Sequence, residues 1–129
     1  MESADDFATA SELVRVLSKE LPATSPQYVL YKDTPMVRYH VPWGTGQLRI
    51  VIAEKPAAIE AYVYAVDALW LVGERWGEAP YMDLLHPLIP KGDWTEIAYW
   101  KLSPRSTKRQ QRRLGLAIAE IVYNAFGID

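Results

Sequence analysis

The chain has 129 residues, half of them hydrophobic, and its 14 basic and 16 acidic side chains give a formal net charge of −2. A single domain of this length buries roughly two thirds of the surface of its unfolded chain, so no second domain is needed. The absence of cysteine excludes a disulfide framework, a thiol nucleophile and cysteine-ligated zinc.

The N-terminal residues, MESADDFATA, are acidic and contain neither the basic nor the apolar region of a secretory signal. The longest apolar run is interrupted by charged side chains such as Asp67, Glu74 and Arg75, which argues against a membrane span. We therefore expect a cytoplasmic protein that has no membrane partner.

The first predicted element is an amphipathic helix over about 7–20. Apolar residues recur there at three- and four-residue intervals, and Asp5 and Asp6 lie where a helix start favours negative charge. The proline-containing segment PATSP then predicts a loop, after which the period of the pattern changes.

Three strands are predicted next, over 27–32, 36–43 and 47–54, because apolar and polar residues alternate there. The residues expected to share one face against the helices are Val37, Tyr39, Ile50 and Ile52. That arrangement requires an even-numbered hairpin loop, and we expect Trp43 to pair with Leu48 around it.

The opposite face of the same strands carries Arg38, His40 and Arg49. These side chains form either a small second basic patch or an ordinary set of solvated strand residues.

A long helix is predicted over about 57–75, where Pro56 opens an apolar run too long for one strand. Both of its sides are largely apolar, which indicates a central position or self-association. Three prolines between 77 and 94 predict a rigid loop, with at most a short helical turn near 80–85. A further strand is predicted over 95–102.

The last segment, 103–129, has the clearest helical periodicity in the chain. Ser103 before Pro104 is one candidate N-cap, and Ser106 or Thr107 is a second candidate one turn later. The apolar stripe of this helix consists of Leu114, Ile118, Ile121, Val122 and Ala125.

The start of this helix also contains an unusual concentration of charge. Residues 101–113 hold six cations and no acid, whereas the other 116 residues hold eight basic and sixteen acidic side chains. The six cations are Lys101, Arg105, Lys108, Arg109, Arg112 and Arg113. Cations at a helix start oppose the helix dipole and repel one another, and such local conflicts tend to mark function.

This basic cluster predicts an anion-binding surface whose partner is nucleic acid first and an acidic protein segment second. The alternative is a solvated face, or a cluster that acids of the same chain neutralise. We therefore favour a non-enzymatic binding or adaptor protein.

Other residues suited to chemistry are poorly supported by their spacing. Asp83 and His86 are three residues apart, but a lone pair of this type is common by chance. Glu60, Asp67 and Glu74 recur every seven residues, which usually marks a solvated helix edge. We predict no catalytic residue, no metal ligand and no cofactor.

The predicted order of elements resembles two known families. At the end of the third strand, Ala53-Glu54-Lys55-Pro56 resembles the Glu-x-Lys element of restriction-nuclease-like domains, with alanine where that family has its first acid. Asp33 would then be the upstream acid, and the resemblance implies metal-dependent cleavage of nucleic acid as the enzymatic alternative. Element order and size are also similar to the small dimeric chaperones of type III secretion, which implies a protein-binding module.

Together the patterns predict one α+β domain over 1–129. It contains an N-terminal helix, a three-stranded antiparallel meander, a long helix, a further strand and a C-terminal helix. The apolar residues on two faces of the long and last helices also predict a homo-oligomer, most simply a homodimer.

Overall fold

The computed structural model describes residues 3–21, 26–43, 46–66, 94–120 and 122–123. Within these ranges the elements are α1 (Ser11–Glu20), β1 (Gln27–Tyr31), β2 (Thr34–Trp43), β3 (Gly46–Glu54), β4 (Ile59–Val66), β5 (Trp94–Leu102) and α2 (Lys108–Glu120). The predicted α+β class is confirmed. Neither helix in these ranges has the length and apolarity needed to cross a membrane.

The five strands form one antiparallel sheet in which each strand pairs with the next along the chain. β1 and β2 are joined by Lys32 and Asp33, both of which have positive φ angles, of 47° and 64°. A two-residue turn with this backbone follows the right-handed twist of the paired strands.

The hairpin between β2 and β3 is tighter than predicted. Trp43 pairs with Gly46, and Val41 pairs with Leu48, so the predicted pairing of Trp43 with Leu48 is wrong. Loops of two and four residues leave the same apolar side chains on the same face, and alternation therefore does not distinguish them. Two-residue connections are the commonest hairpin geometry.

The predicted long helix over 57–75 is wrong in its first half, because Ile59–Val66 forms strand β4. This strand is buried on both faces: its alternate residues join the core beneath the helices, while Tyr62 and Tyr64, on the other face, are at most 5% exposed. A strand covered on both faces reads as a continuous apolar run, which periodicity does not separate from a buried helix. Residues 67–75 lie outside the described residues.

The core lies between the two helices and one face of the sheet. The predicted inward set, Val37, Tyr39, Ile50 and Ile52, is fully buried there. The Tyr39 hydroxyl donates to the carbonyl oxygen of Val14 in α1 at 3.0 Å, and burial raises the pKa of this hydroxyl. The buried hydroxyl is therefore hydrogen-bonded where the sheet meets α1.

The residues that lead into α1 are held by a distant carboxylate. The N-cap position of α1 is Ala10, which has no side chain able to cap. Instead, the carboxylate of Glu54 at the end of β3 accepts the N–H groups of Thr9 at 2.7 Å and Ala10 at 2.8 Å. The helix thus begins at Ser11, later than predicted, after a separate turn of 3-10 helix at Ala4–Asp6.

α1 and α2 approach each other closely where α2 has Gly115. A Cβ atom at this position would lie 2.7 Å from Cγ1 of Val16. One turn earlier, the buried side chain of Gln111 donates to the carbonyl oxygen of Thr9 at 2.6 Å and accepts the N–H of Leu13 at 3.0 Å. This contact fixes α2, and the cations at its start, relative to α1.

Candidate anion-binding surface

α2 begins at Lys108 because Thr107 and Gln110 cap it reciprocally. The Thr107 hydroxyl accepts the N–H of Gln110 at 3.1 Å, and the Gln110 side-chain oxygen accepts the N–H of Thr107 at 2.8 Å. This is a capping box. The later predicted start is therefore confirmed, while Ser103 lies in a preceding turn and accepts the N–H of Ser106 at 3.0 Å through its carbonyl oxygen.

The capped helix separates a buried face from a cationic face. Gln111, Gly115 and Ile118 are buried against α1 and the sheet. The exposed cations, here called the α2 basic surface, are Arg105, Lys108, Arg109, Arg112 and Arg113. At about 100° per residue, the four within the helix cover an arc of about 140°. The predicted amphipathic division of this segment is confirmed.

The predicted apolar stripe is only partly covered by the described residues. Ile118 and Val122 are fully buried, and Leu114 packs against the core. Ile121 and Ala125 lie outside the described residues.

Ion pairing distinguishes Arg112 from the other members of the α2 basic surface. Its Nη2 lies 3.4 Å from Oε2 of Glu12, and the other oxygen of that carboxylate lies 3.1 Å from Nη1 of Arg15. In the part of the chain that the structure describes, the members without an ion pair are Arg105, Lys108, Arg109 and Arg113. Among the described residues, neutralisation by an acid of the same chain thus applies to one of the five cations.

The unpaired cations remain at an electrostatically unfavourable position. The first turn of α2 carries no acidic residue, and a cation near a helix N-terminus costs about 0.3–1 kcal/mol at low salt. An anion bound at this surface would offset both the dipole and the repulsion among the cations.

Lys101, the sixth predicted cation, is separate from the α2 basic surface. It is exposed on β5 opposite Glu60 of β4. Its neighbours Trp100 and Leu102 pack against the core, so alternation places Lys101 on the sheet face remote from the helices. The structure therefore brings five of the six predicted cations together.

Arg38, His40 and Arg49 share the sheet face remote from the helices, as the alternation predicts. His40 and Arg49 are direct cross-strand partners, and Arg38 precedes His40 by two residues. Arg49 is not a solvated strand residue, however, because only 4% of it is exposed. Burial and then Arg38 lower the pKa of Arg49 to about 10, and burial, Arg49 and Arg38 lower the pKa of His40.

The residues that resemble a nuclease motif have partners within the fold. Glu54 accepts the N–H groups of Thr9 and Ala10 just before α1, and Lys55 Nζ lies 2.7 Å from Oε1 of Glu60. The hydrogen bond from Lys55 to Glu60 raises the pKa of that lysine. Asp33 lies in the exposed β1–β2 turn, and it lines an open pocket of about 210 Å³ together with Glu54 and Lys55.

The element order on which both family resemblances depend is not the order found. β4 occupies the position at which each family would have its second helix, and the sheet is antiparallel throughout. Among the described residues there is no group of three or more histidine, aspartate or glutamate side chains that could hold a metal ion. Asp67, Glu74, Asp83 and His86 lie outside the described residues.

The sequence analysis missed the structural roles of three polar residues: Glu12 and Gln111, which are buried, and Glu54, which is half-buried. Gln111 had a recognisable signal, because it precedes Ile118 by seven residues and so falls on the apolar stripe of α2. Glu54 had none, since its partners are 44–46 residues away in the sequence.

No protein-family model, curated protein or solved structure matches this chain. What the chain binds must therefore follow from the chemistry of its own surfaces.

Proposed function

We propose that this protein is a non-enzymatic binding or adaptor protein that holds an anionic partner, nucleic acid first, on the α2 basic surface. The observation that carries this proposal is the state of its cations. Four of the five are exposed and have no ion pair in the part of the chain that the structure describes. Cations kept at the wrong end of a helix dipole without local compensation favour an external anion.

The side-chain types favour phosphate. Four of the five cations are arginines, whose planar guanidinium groups donate two parallel hydrogen bonds to phosphate oxygens. Lys108 and Arg113 are about 7.5 Å apart along the helix axis. A nucleic-acid duplex presents about one backbone charge per 1.7 Å of its axis, so a surface of this length meets several phosphates.

An acidic protein segment is the second candidate, and the position of Leu116 favours it. This residue is 47% exposed and follows Arg112 by four residues and Arg113 by three, within the same helix side. An exposed leucine among arginines offers an apolar contact that a polynucleotide backbone does not use.

Fluorescence anisotropy at low salt tests the proposal. The labelled ligands are single-stranded DNA, duplex DNA, RNA and a polyglutamate peptide. The informative variant is Arg109→Gln with Arg113→Gln. The matched control is Lys19→Gln with Lys32→Gln, because these lysines are also exposed but lie outside α2. Each double variant changes the net charge from −2 to −4.

We expect the parent and the lysine control to bind nucleic acid alike, and the arginine variant to bind roughly tenfold or more weakly. Tighter binding of polyglutamate, lost on Leu116→Ser, would instead select the acidic protein segment. Equal losses in both double variants, or no binding by the parent, would contradict the proposed surface.

The enzymatic alternative is tested by incubating the same DNA and RNA with the protein and Mg²⁺ or Mn²⁺. We expect the nucleic acids to stay intact, because Glu54 and Lys55 are already engaged within the fold. Metal-dependent cleavage that disappears in Glu54→Gln would show that the protein is an enzyme.

A further inference from the structure

β1 is an edge strand that lacks the features by which proteins protect such edges. In the part of the chain that the structure describes, β1 and β5 are the two outer strands of the sheet. An outer strand presents unpaired backbone groups, and charged residues, prolines or bulges normally keep other strands from pairing with it. The sequence of β1 contains neither a charged residue nor a proline, and its register with β2 is unbroken. Its Leu30 side chain is 60% exposed.

The opposite edge of the sheet carries both kinds of protection. The register of β5 with β4 shifts between Val63 and Tyr64, which marks a bulge. The sequence of β5 also contains two charged residues, Glu96 and Lys101. Both features discourage a further strand. Of the two edges that the structure describes, β1 is therefore the one that is open to pairing.

The geometry of the β1–β2 hairpin shows which backbone groups of β1 face outward. The two-residue turn makes Tyr31 and Thr34 a hydrogen-bonded pair, and such pairs alternate with non-hydrogen-bonded pairs along an antiparallel ladder. The next pair, Leu30 with Pro35, is therefore non-hydrogen-bonded, which suits a proline because it has no N–H to give. By the same alternation, the N–H and C=O groups of Tyr28 and Leu30 point away from β2. These groups make no backbone hydrogen bond within the described part of the chain.

We propose that β1 pairs with β1 of a second copy of this chain, in antiparallel orientation and with Val29 opposite the partner's Val29. In this register Tyr28 of each copy lies opposite Leu30 of the other, so the outward N–H and C=O groups of both residues are all paired. The neighbouring registers with the same hydrogen-bonding pattern are poorer. One places Leu30 opposite Pro26, which has no N–H, and the other places Tyr28 opposite the turn residue Lys32.

The side chains of β1 favour a second copy as the partner. Tyr28 lies on the sheet face that packs against the helices, where its ring centroid is 6.3 Å from that of Phe7. Leu30 lies on the same face, because it follows Tyr28 by two residues. In the paired strands, the exposed leucine of each copy would contact the tyrosine of the other. β1 has no charged side chain, so two copies place no like charges opposite each other.

The size of this contact sets the strength that we expect. A five-residue strand is about 17 Å long, and pairing along that length buries less than the roughly 1,200–2,000 Å² of a stable interface. The dimer should therefore be weak and concentration-dependent. The sequence analysis placed self-association on helices, so this surface is a different one, and it is separate from the α2 basic surface.

Sedimentation from low micromolar to millimolar concentration tests the proposal, and the mass of the parent should rise from one chain toward two. Leu30→Lys should raise the dissociation constant roughly tenfold or more, because lysine on an edge strand opposes pairing. The matched control is Leu116→Lys, since this leucine is 47% exposed on α2. Each variant changes the net charge from −2 to −1, and the control should associate as the parent does.

Two results of this experiment would overturn the proposal. One is a parent that stays monomeric at every concentration, which would leave the β1 edge to a strand of another protein. The other is a dimer that Leu116→Lys weakens as much as Leu30→Lys does, because self-association would then not depend on β1.

Oxidative cross-linking tests the register. The chain contains no cysteine, so Val29→Cys introduces a single thiol at the symmetry axis, where the Cα atoms of a non-hydrogen-bonded pair lie about 4.5 Å apart. A disulfide can form at this distance. The control is Leu30→Cys, because Leu30 is more exposed than Val29 but its two copies are diagonal neighbours about 7–8 Å apart.

We expect Val29→Cys to form a covalent dimer much faster than Leu30→Cys. Random collision would favour the more exposed thiol instead. Cross-linking of Leu30→Cys at the same rate or faster, or no covalent dimer from Val29→Cys, would overturn the proposal.

Discussion

Gly115 shows how one residue sets the distance between the two helices. A Cβ atom there would lie 2.7 Å from Cγ1 of Val16 and 3.1 Å from Cβ of the same residue. Valine in a helix has essentially one rotamer, so it does not turn away. The glycine therefore permits an approach that any other residue would prevent.

We predict that Gly115→Ala destabilises the protein by about 1–3 kcal/mol, as overpacking generally does, although alanine raises helix propensity by up to about 1 kcal/mol. Urea unfolding measures this change. Val16→Ala removes the clashing methyl groups, so the double variant should lose less stability than the sum of the two single variants. A Gly115→Ala protein as stable as the parent would show that the helices separate without cost.

His40 makes stability depend on pH. Its pKa in the folded protein lies below the ordinary value of 6.5, because of burial and then the nearby Arg49 and Arg38. The unfolded chain therefore takes up the proton first as the pH falls through about 6.5. The contribution of neutral His40 is complete above that pH and is lost on acidification.

We predict that His40→Gln, which does not titrate, gains stability relative to the parent between pH 7.5 and pH 5.5. Denaturant unfolding in phosphate-free buffers measures the difference, and His86, present in both proteins, contributes equally to each. A stability difference that stays constant over this range would mean that the pKa of His40 is the same in the folded and unfolded states.

At the scale of elements, α1 is positioned by a residue of the sheet. Glu54 accepts the N–H groups of Ala8, Thr9 and Ala10 at 2.7–3.0 Å, so it holds the residues that lead into α1 against the end of β3. The junction between β3 and α1 therefore depends on one carboxylate.

We predict that Glu54→Ala lowers the free energy of unfolding by about 1–3 kcal/mol, because it leaves these N–H groups without their partner. Glu120→Ala is the matched control, since this glutamate is exposed on α2 and should change stability by less than about 0.5 kcal/mol. Equal stability of both variants would mean that water replaces the carboxylate without cost.

Local sequence patterns were enough to predict several elements. These are the strands β1, β2, β3 and β5 and the capped start of α2. Alternation places Val37 and Ile50 in the core whatever the loop length, and a threonine three residues before a glutamine marks a capping box. β4 could not be predicted in the same way. Its Tyr62 and Tyr64 are buried on the face that alternation normally leaves to solvent.

The candidate site was predictable as a set of residues but not as a set of contacts. The α2 basic surface follows from helical periodicity, whereas the pairing of Arg112 with Glu12 joins residues 100 positions apart. The burial of Arg49 likewise depends on what covers the sheet, which strand alternation does not report.

At the scale of the molecule, the self-association prediction keeps only part of its basis. The apolar faces assigned to a helix over 57–75 belong in part to the buried strand β4. The exposed large hydrophobic side chains in the described residues are Leu30, Tyr99 and Leu116, and these lie on separate elements. A homodimer thus stays a prediction, with molecular mass in solution as its measurement.

The charge of the whole chain is polarised: residues 101–113 carry six cations, and the other 116 residues carry a net charge of −8. Five of these six cations lie on the α2 basic surface, so under the proposed function a polyanion would be attracted mainly there. Under that function, this polarity would also orient the partner on α2.

The most direct test is the salt dependence of nucleic-acid binding. For the parent, log K should fall linearly with log salt, and Arg109→Gln with Arg113→Gln should reduce the slope by roughly 1.4–1.8, at about 0.7–0.9 per lost phosphate contact. The variant should unfold at the same denaturant concentration as the parent, or slightly later, because both arginines lack ion pairs in the described chain. An unchanged slope together with earlier unfolding would contradict the account, since it would show that the arginines stabilise the fold instead of binding phosphate.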